Sequence, residues 1–160
     1  MRWDVTGALD PVAGMLAKEQ IRDLAHRYHL YSEGGRTAEQ EELFTADAVM
    51  ELVWPDRTET FAGRDEVMSI FRRAGEKVGV QGGTPSTGRG YARHHLTTHQ
   101  IDLQDATSAT GRWYFAVVVP DGLDHWGRYL DRYSCDRGVW RFAHRRVQVE
   151  GLVPGSAFNR

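Results

Sequence analysis

The chain has 160 residues, with 20 Lys+Arg against 22 Asp+Glu, a formal charge of −2, 41% hydrophobic and 26% charged residues. That length predicts one domain able to bury roughly 68–70% of the surface its unfolded form exposes, and so to build a core without disulfides or metals. The near-neutral charge excludes bulk attraction to nucleic acid or anionic lipid, and the longest strongly apolar run, Phe115 to Val119, is far short of the roughly 20 residues of a membrane helix.

The opening segment has Asp4 and no apolar run after Arg2, unlike a secretory signal, so a cytoplasmic protein is expected. Asp10-Pro11 then supplies an N-cap and a proline for the first helical position, and Ile21, Leu24, Ala25, Tyr28 and Tyr31 recur on one helical face until Gly34-Gly35. Thr37-Ala38-Glu39-Gln40 reads as a capping box opening a shorter helix that turns Leu43 and Phe44 inward and closes at Asp47. A strand from Ala48 to Trp54 stops at Pro55-Asp56, and Thr58 to Phe61 is its hairpin partner. Gly63-Arg64-Asp65 leads a third helix with Val67, Ile70, Phe71 and Ala74 on one stripe.

Between Val78 and Gly90 the pattern lapses into a segment with five glycines and Pro85. It lacks the lysine and the strand-before, helix-after context of a phosphate loop, which leaves a surface loop or pocket lid. Four strand-like runs follow, Tyr91 to Leu103, Ser108 to Val119, Trp126 to Cys135 and Val139 to Glu150, joined by short turns that predict an antiparallel meander. Helices first and a meander afterwards give an α+β domain with its helices on one face of a curved sheet. Cys135, the single cysteine, has no neighbouring base and reads as a half-buried structural thiol.

Seven histidines, at 26, 29, 94, 95, 99, 125 and 144, are the candidates for proton exchange near neutral pH. On a strand His94 and His95 point to opposite faces, so one of them can look into a pocket between sheet and helices. His95 and His99 would share a face, yet four residues of ~3.3 Å keep them from holding one ion. His26 and His29 have chelating i,i+3 spacing without an accompanying carboxylate motif, so a protein without metal or other cofactor is expected. Tyr28 lies on the apolar stripe of the first helix, either as a core aromatic or as a pocket hydroxyl. Glu33, near the end of that helix, is either a solvated acid or an acid at the pocket mouth.

Several segments carry a resemblance: Arg27-Tyr28-His29-Leu30-Tyr31-Ser32-Glu33-Gly34, Glu42-Leu43-Phe44-Thr45-Ala46-Asp47-Ala48-Val49 and Gly63-Arg64-Asp65-Glu66-Val67 in the first half, then Arg93-His94-His95-Leu96-Thr97-Thr98, Ala109-Thr110-Gly111-Arg112-Trp113-Tyr114 and Gly138-Val139-Trp140-Arg141-Phe142. In this order they resemble SnoaL-like domains of the nuclear transport factor 2-like superfamily. The likeness makes 1–160 a single such domain with a core of about 14–151 and flexible ends. It implies a cone-shaped α+β barrel around an apolar pocket, usually in a homodimer or homotrimer. In the scytalone and bile acid dehydratases of this group a strand histidine pairs with an aspartate near the end of the first helix, assisted by tyrosine. Motif for motif these fall on His94, with His95 as the alternative, on Glu33 and on Tyr28. The sequence departs from scytalone dehydratase in the longer acid, in Leu52 where that enzyme has a strand tyrosine, and in Trp113 where it has a second histidine.

The implied chemistry is removal of a proton next to a carbonyl by His94, oriented by Glu33, with Tyr28 or Tyr31 donating to the developing enolate oxygen. Elimination, isomerisation and ring closure all begin in this way. Tyr91, Trp113, Phe115 and Trp126, with Leu52, are the expected lining for a small hydrophobic ring-containing substrate, polyketide-like or steroid-like. The competing expectations are a non-catalytic subunit like the small subunits of ring-hydroxylating dioxygenases, and a ligand-binding module.

Overall fold

A computed structural model of the chain describes residues 10–156 except 79, 82–83 and 86–91. Asp10 caps α1 (Pro11–Glu33) by accepting from the Val12 and Ala13 N–H groups, with Pro11 at the first helical position, and Gly34 ends the helix. The buried residues of α1 are Ala17, Ile21, Leu24, Ala25, Tyr28 and His29, the three- and four-residue steps of a single face. α2 is shorter than its sequence suggests. It spans Thr37–Glu41, and the residue at its N-cap is Arg36, without a side-chain cap bond, so the capping box does not form. Phe44, expected on that helix, instead begins β1 (Phe44–Val53). β2 (Thr58–Ala62) pairs antiparallel with β1, and α3 (Arg64–Val78) follows.

Two short strands, β3 (Val80–Gln81) and β4 (Thr84–Pro85), pair within the glycine-rich segment, whose other residues lie mostly outside the described ones. The meander is β5 (Arg93–Leu103), β6 (Ser108–Val119), β7 (Gly122–Asp136) and β8 (Val139–Leu152). β1 joins β8 in parallel, completing a six-stranded sheet of order β2-β1-β8-β7-β6-β5. The sheet is curved and mostly antiparallel, and it is open rather than closed into a barrel. The helices pack on one face, and the buried side chains of that face form two apolar clusters. One surrounds Tyr28, Phe44, Tyr133 and Phe142; the other contains Trp113, Phe115, Val117 and Tyr129. No helix among the described residues is long and apolar enough to cross a membrane.

Irregularities in register aim the inner face. In β5 the pairing with β6 shifts between Thr97 and Gln100, and Thr98 has φ 57°, the left-handed region. One extra residue there reverses the alternation of faces. Between β7 and β8 the register shifts at Trp126/Gly127, where a Cβ on Gly127 would overlap the Gln148 carbonyl. Gly127→Ala is therefore expected to destabilise the fold by about 1–3 kcal/mol, read as a lower urea midpoint. An unchanged midpoint would mean that β8 can move aside.

Candidate active site

Glu33 is the last residue of α1, where a carboxylate meets the negative end of the helix dipole. Contacts from β5 outweigh that cost. The His94 backbone N–H donates to Glu33 Oε1 at 2.8 Å, and His94 Nδ1 lies 3.1 Å from the same oxygen. Arg93 approaches Oε2 at 3.4 Å. Burial alone would raise the Glu33 pKa, but the hydrogen bonds from the His94 ring and backbone, together with the positive charge of Arg93, hold it below the usual carboxylate value. Glu33 is thus a carboxylate at neutral pH and can only accept, so Nδ1 carries the proton and the lone pair of the neutral ring is on Nε2. The two side chains are 16% and 21% exposed, which leaves them sheltered but reachable.

Behind this pair the interior is aromatic and charged. The His94 ring lies 4.5 Å from that of His29 and 6.4 Å from that of Phe115. His29 is buried, and neither of its ring nitrogens has a hydrogen-bond partner among the described residues. Burial first, then the Arg145 cation and any proton that His94 takes up beside it, keep its pKa well below the ordinary value. Deeper still, Arg145 and Asp131 form a fully buried two-pronged pair, Nε to Oδ1 and Nη2 to Oδ2, both at 2.9 Å. Trp113 Nε1 and the Tyr133 hydroxyl donate to Asp131 Oδ2 at 2.7 and 2.9 Å. Gly111 makes room for the latter, since the Tyr133 ring occupies the place of its missing Cβ. The guanidinium of Arg145 is stacked over the rings of Tyr28 and Phe142 at 4.0 and 3.9 Å. Its remaining nitrogen, Nη1, is buried without a hydrogen-bond partner among the described residues.

The residues singled out in the sequence are not all gathered at this site. Tyr28 is buried beside Arg145, its pKa raised by burial despite that cation, and its ring edge meets His29 at 4.8 Å. Tyr31 lies half-buried with the Arg36 guanidinium 4.4 Å above its ring. Phe115 and Trp113 face inward, the former 4.7 Å from the Tyr129 ring. The Trp113 indole serves as a donor to Asp131. Leu52 packs half-buried against the core. His95 and Trp126 correct the sequence reading, because both point away from the site. Each pairs with Ala116, next to inward-facing Phe115, and cross-strand partners share a face, so both are exposed on the outer side. His99 is a second correction: beyond the Thr98 bulge it turns to the same side as His94, stacked on Trp113 at 5.0 Å. Tyr91 lies outside the described residues.

Sequence reasoning missed Asp131, Arg145 and Tyr129, and weighed His29 only beside His26. An Asp and an Arg inside strand-like runs were the available signal, since alternation places both on the apolar face. A shallow concavity of about 590 Å³ on the opposite side of the sheet, lined by Glu51, Arg112, Leu130, Arg132, His144 and Arg146, contains none of the expected site residues.

The buried imidazoles make stability depend on pH. Burial lowers the His99 pKa to about 4, from an ordinary 6.5. As pH falls below 6.5 the unfolded chain takes up a proton that folded His99 refuses until about 4, so stability is full above that window and declines through it. His29 acts with the same sign. The melting temperature is expected to drop steadily from pH 6.5 toward 4, and less steeply in His99→Asn; a midpoint flat across the window would contradict the burial of these rings.

A family model for the SnoaL-like domain matches residues 14–146. The chain belongs to the SnoaL-like domain family. No curated protein matches it in sequence. Among solved structures it is similar to a variant of Rv3472, a protein of unknown function from Mycobacterium tuberculosis, at 26% identity and TM-score 0.69, covering 92% of this chain and 80% of that one. A candidate scytalone dehydratase from Novosphingobium aromaticivorans is 20% identical with TM-score 0.71, covering 90% and 91%. The β subunit of a candidate aromatic-ring-hydroxylating dioxygenase from the same organism is 16% identical with TM-score 0.70, covering 90% and 95%. An enzyme-like and a subunit-like relative share the fold almost equally, so the side chains must separate the two.

Proposed function

We propose that the protein is a cofactor-independent acid–base enzyme, a dehydratase, isomerase or cyclase, acting on a ring ketone of polyketide or steroid type. The contact that carries this reading is Glu33 Oε1 to His94 Nδ1 at 3.1 Å. It fixes the tautomer and leaves Nε2 to take a proton from the carbon next to a carbonyl. A scaffolding subunit has no need of a carboxylate held at the unfavourable end of a helix. The aromatic lining from Phe115 and Tyr129 suits a flat apolar ring. Arg145 Nη1, a buried donor without an acceptor, suits an oxygen that gains negative charge as the proton leaves. Tyr28, whose pKa burial raises, keeps its hydroxyl proton at neutral pH beside Arg145. The likeness to a candidate scytalone dehydratase supports elimination as the step after proton removal.

The test does not require the product to be identified. Fused-ring ketones are incubated with the protein in deuterated water, and loss of the proton α to the carbonyl is followed by NMR. Exchange about 10²-fold or more above buffer is expected for the ring size that fits. If no ketone in the panel exchanges faster than in buffer, the scaffolding reading takes its place.

A further inference from the structure

The ring of His29, unpartnered among the described residues, sits in an arrangement that would satisfy it. His29 lies one helical turn before Glu33, so the two project from the same side of α1, and β5 brings His94 to them. One nitrogen of each imidazole and one carboxylate oxygen lie within 4.8 Å of one another. His29 is 5% exposed with both nitrogens unbonded, so a lone pair is already desolvated and faces the other two groups. The C-terminal end of α1 adds partial negative charge at the same place. Two imidazoles and one carboxylate suit a borderline divalent ion such as Zn²⁺ or Co²⁺, whereas Mg²⁺ and Ca²⁺ favour oxygen ligands alone.

We propose that His29, Glu33 and His94 form a binding site for one divalent transition ion of the Zn²⁺ class, with water in the fourth position. The imidazoles now lie with an interplanar angle of 32°, and drawing their nitrogens to bonds of ~2.0–2.1 Å takes a rotation about χ2, a broad torsion in histidine. Arg93 keeps the second oxygen of Glu33, Oε2. When the ion takes Nδ1 of His94, the proton of the neutral ring moves to Nε2, the nitrogen assigned above as the base. Occupancy therefore switches proton transfer off reversibly. This consequence rests on the proposed function, while the binding itself does not. The sequence spacing drew attention to His26 with His29; in the fold His26 is exposed, and the partners of His29 are Glu33 and His94.

The experiment is titration of chelator-treated protein with Co²⁺ alone, read by visible absorption, followed by displacement with Zn²⁺. One ion per chain with the intense absorption of a four-coordinate site is expected. His29→Ala should weaken binding about tenfold or more, Glu33→Gln should weaken it too, and His26→Ala should leave it unchanged, each variant first verified as folded by circular dichroism. Only the spectrum of hydrated Co²⁺, or equal binding by wild type and His29→Ala, would overturn the site. Zn²⁺ at saturation should also abolish ketone exchange. Binding without any exchange activity to inhibit would retain the site and remove the base assignment, and full exchange in the Zn²⁺-loaded protein would overturn the switch.

Discussion

His94→Ala is expected to abolish ketone exchange, a loss of about 10²–10⁴-fold in the rate at saturating substrate, with the fold retained. The ring is half-buried at the inner rim of β5 and contributes little to the two apolar clusters, so its removal leaves the core in place. Glu33→Gln should give a loss of similar order, because an amide can donate to Nδ1 and stabilise the wrong tautomer. Rates in both variants, with melting temperatures measured alongside, separate chemistry from folding. Wild-type turnover in either one would dismiss the pair as the proton-transfer device.

Asp131→Ala is expected to be the most destabilising single change in the site, by about 3–5 kcal/mol. Arg145 would be left as a buried cation without its counter-charge, and Trp113 and Tyr133 would each lose an acceptor. Replacing both members, Asp131→Leu with Arg145→Met, should recover most of that loss, since an apolar pair of similar volume avoids the desolvation of two ions. The two-step comparison, by urea denaturation, distinguishes a stranded charge from a simple packing defect. If the double variant is as unstable as Asp131→Ala, the cost lies in the lost Trp113 and Tyr133 hydrogen bonds.

Local signals carry most of the fold. Asp10-Pro11 and Gly34 mark the ends of α1 because caps act on residues a few positions away, and the alternation of Trp113, Phe115 and Val117 reports one inner face. Phe44 is misplaced by its sequence context because a helix end and a strand start both put an apolar residue inward, and only pairing with β8 decides between them. The parallel contact between β1 and β8 spans most of the chain and leaves no local trace. Within the site, Glu33 and His94 are legible through motif resemblance, while spacing along one chain gives no indication of their contact. Simple alternation puts His95 and His99 on one face, and a bulge interrupts it. Asp131 and Arg145 escape a reading of the sequence, and His29 is paired with the wrong neighbour, because their importance lies in what surrounds them: an orphaned nitrogen or a sealed ion pair exists only after the sheet has formed.

The single residue inserted at Thr98 gives β5 two reading frames. Upstream of it even-numbered side chains look inward, and downstream odd-numbered ones do, so His94 and His99 look the same way although an uninterrupted strand would send them apart. Shortening the strand by that residue would move either one imidazole or the other out to water, depending on which half keeps its hold on β6. Adding or removing one residue midway along this strand would thus exchange the polar side chains of the inner face without replacing any histidine.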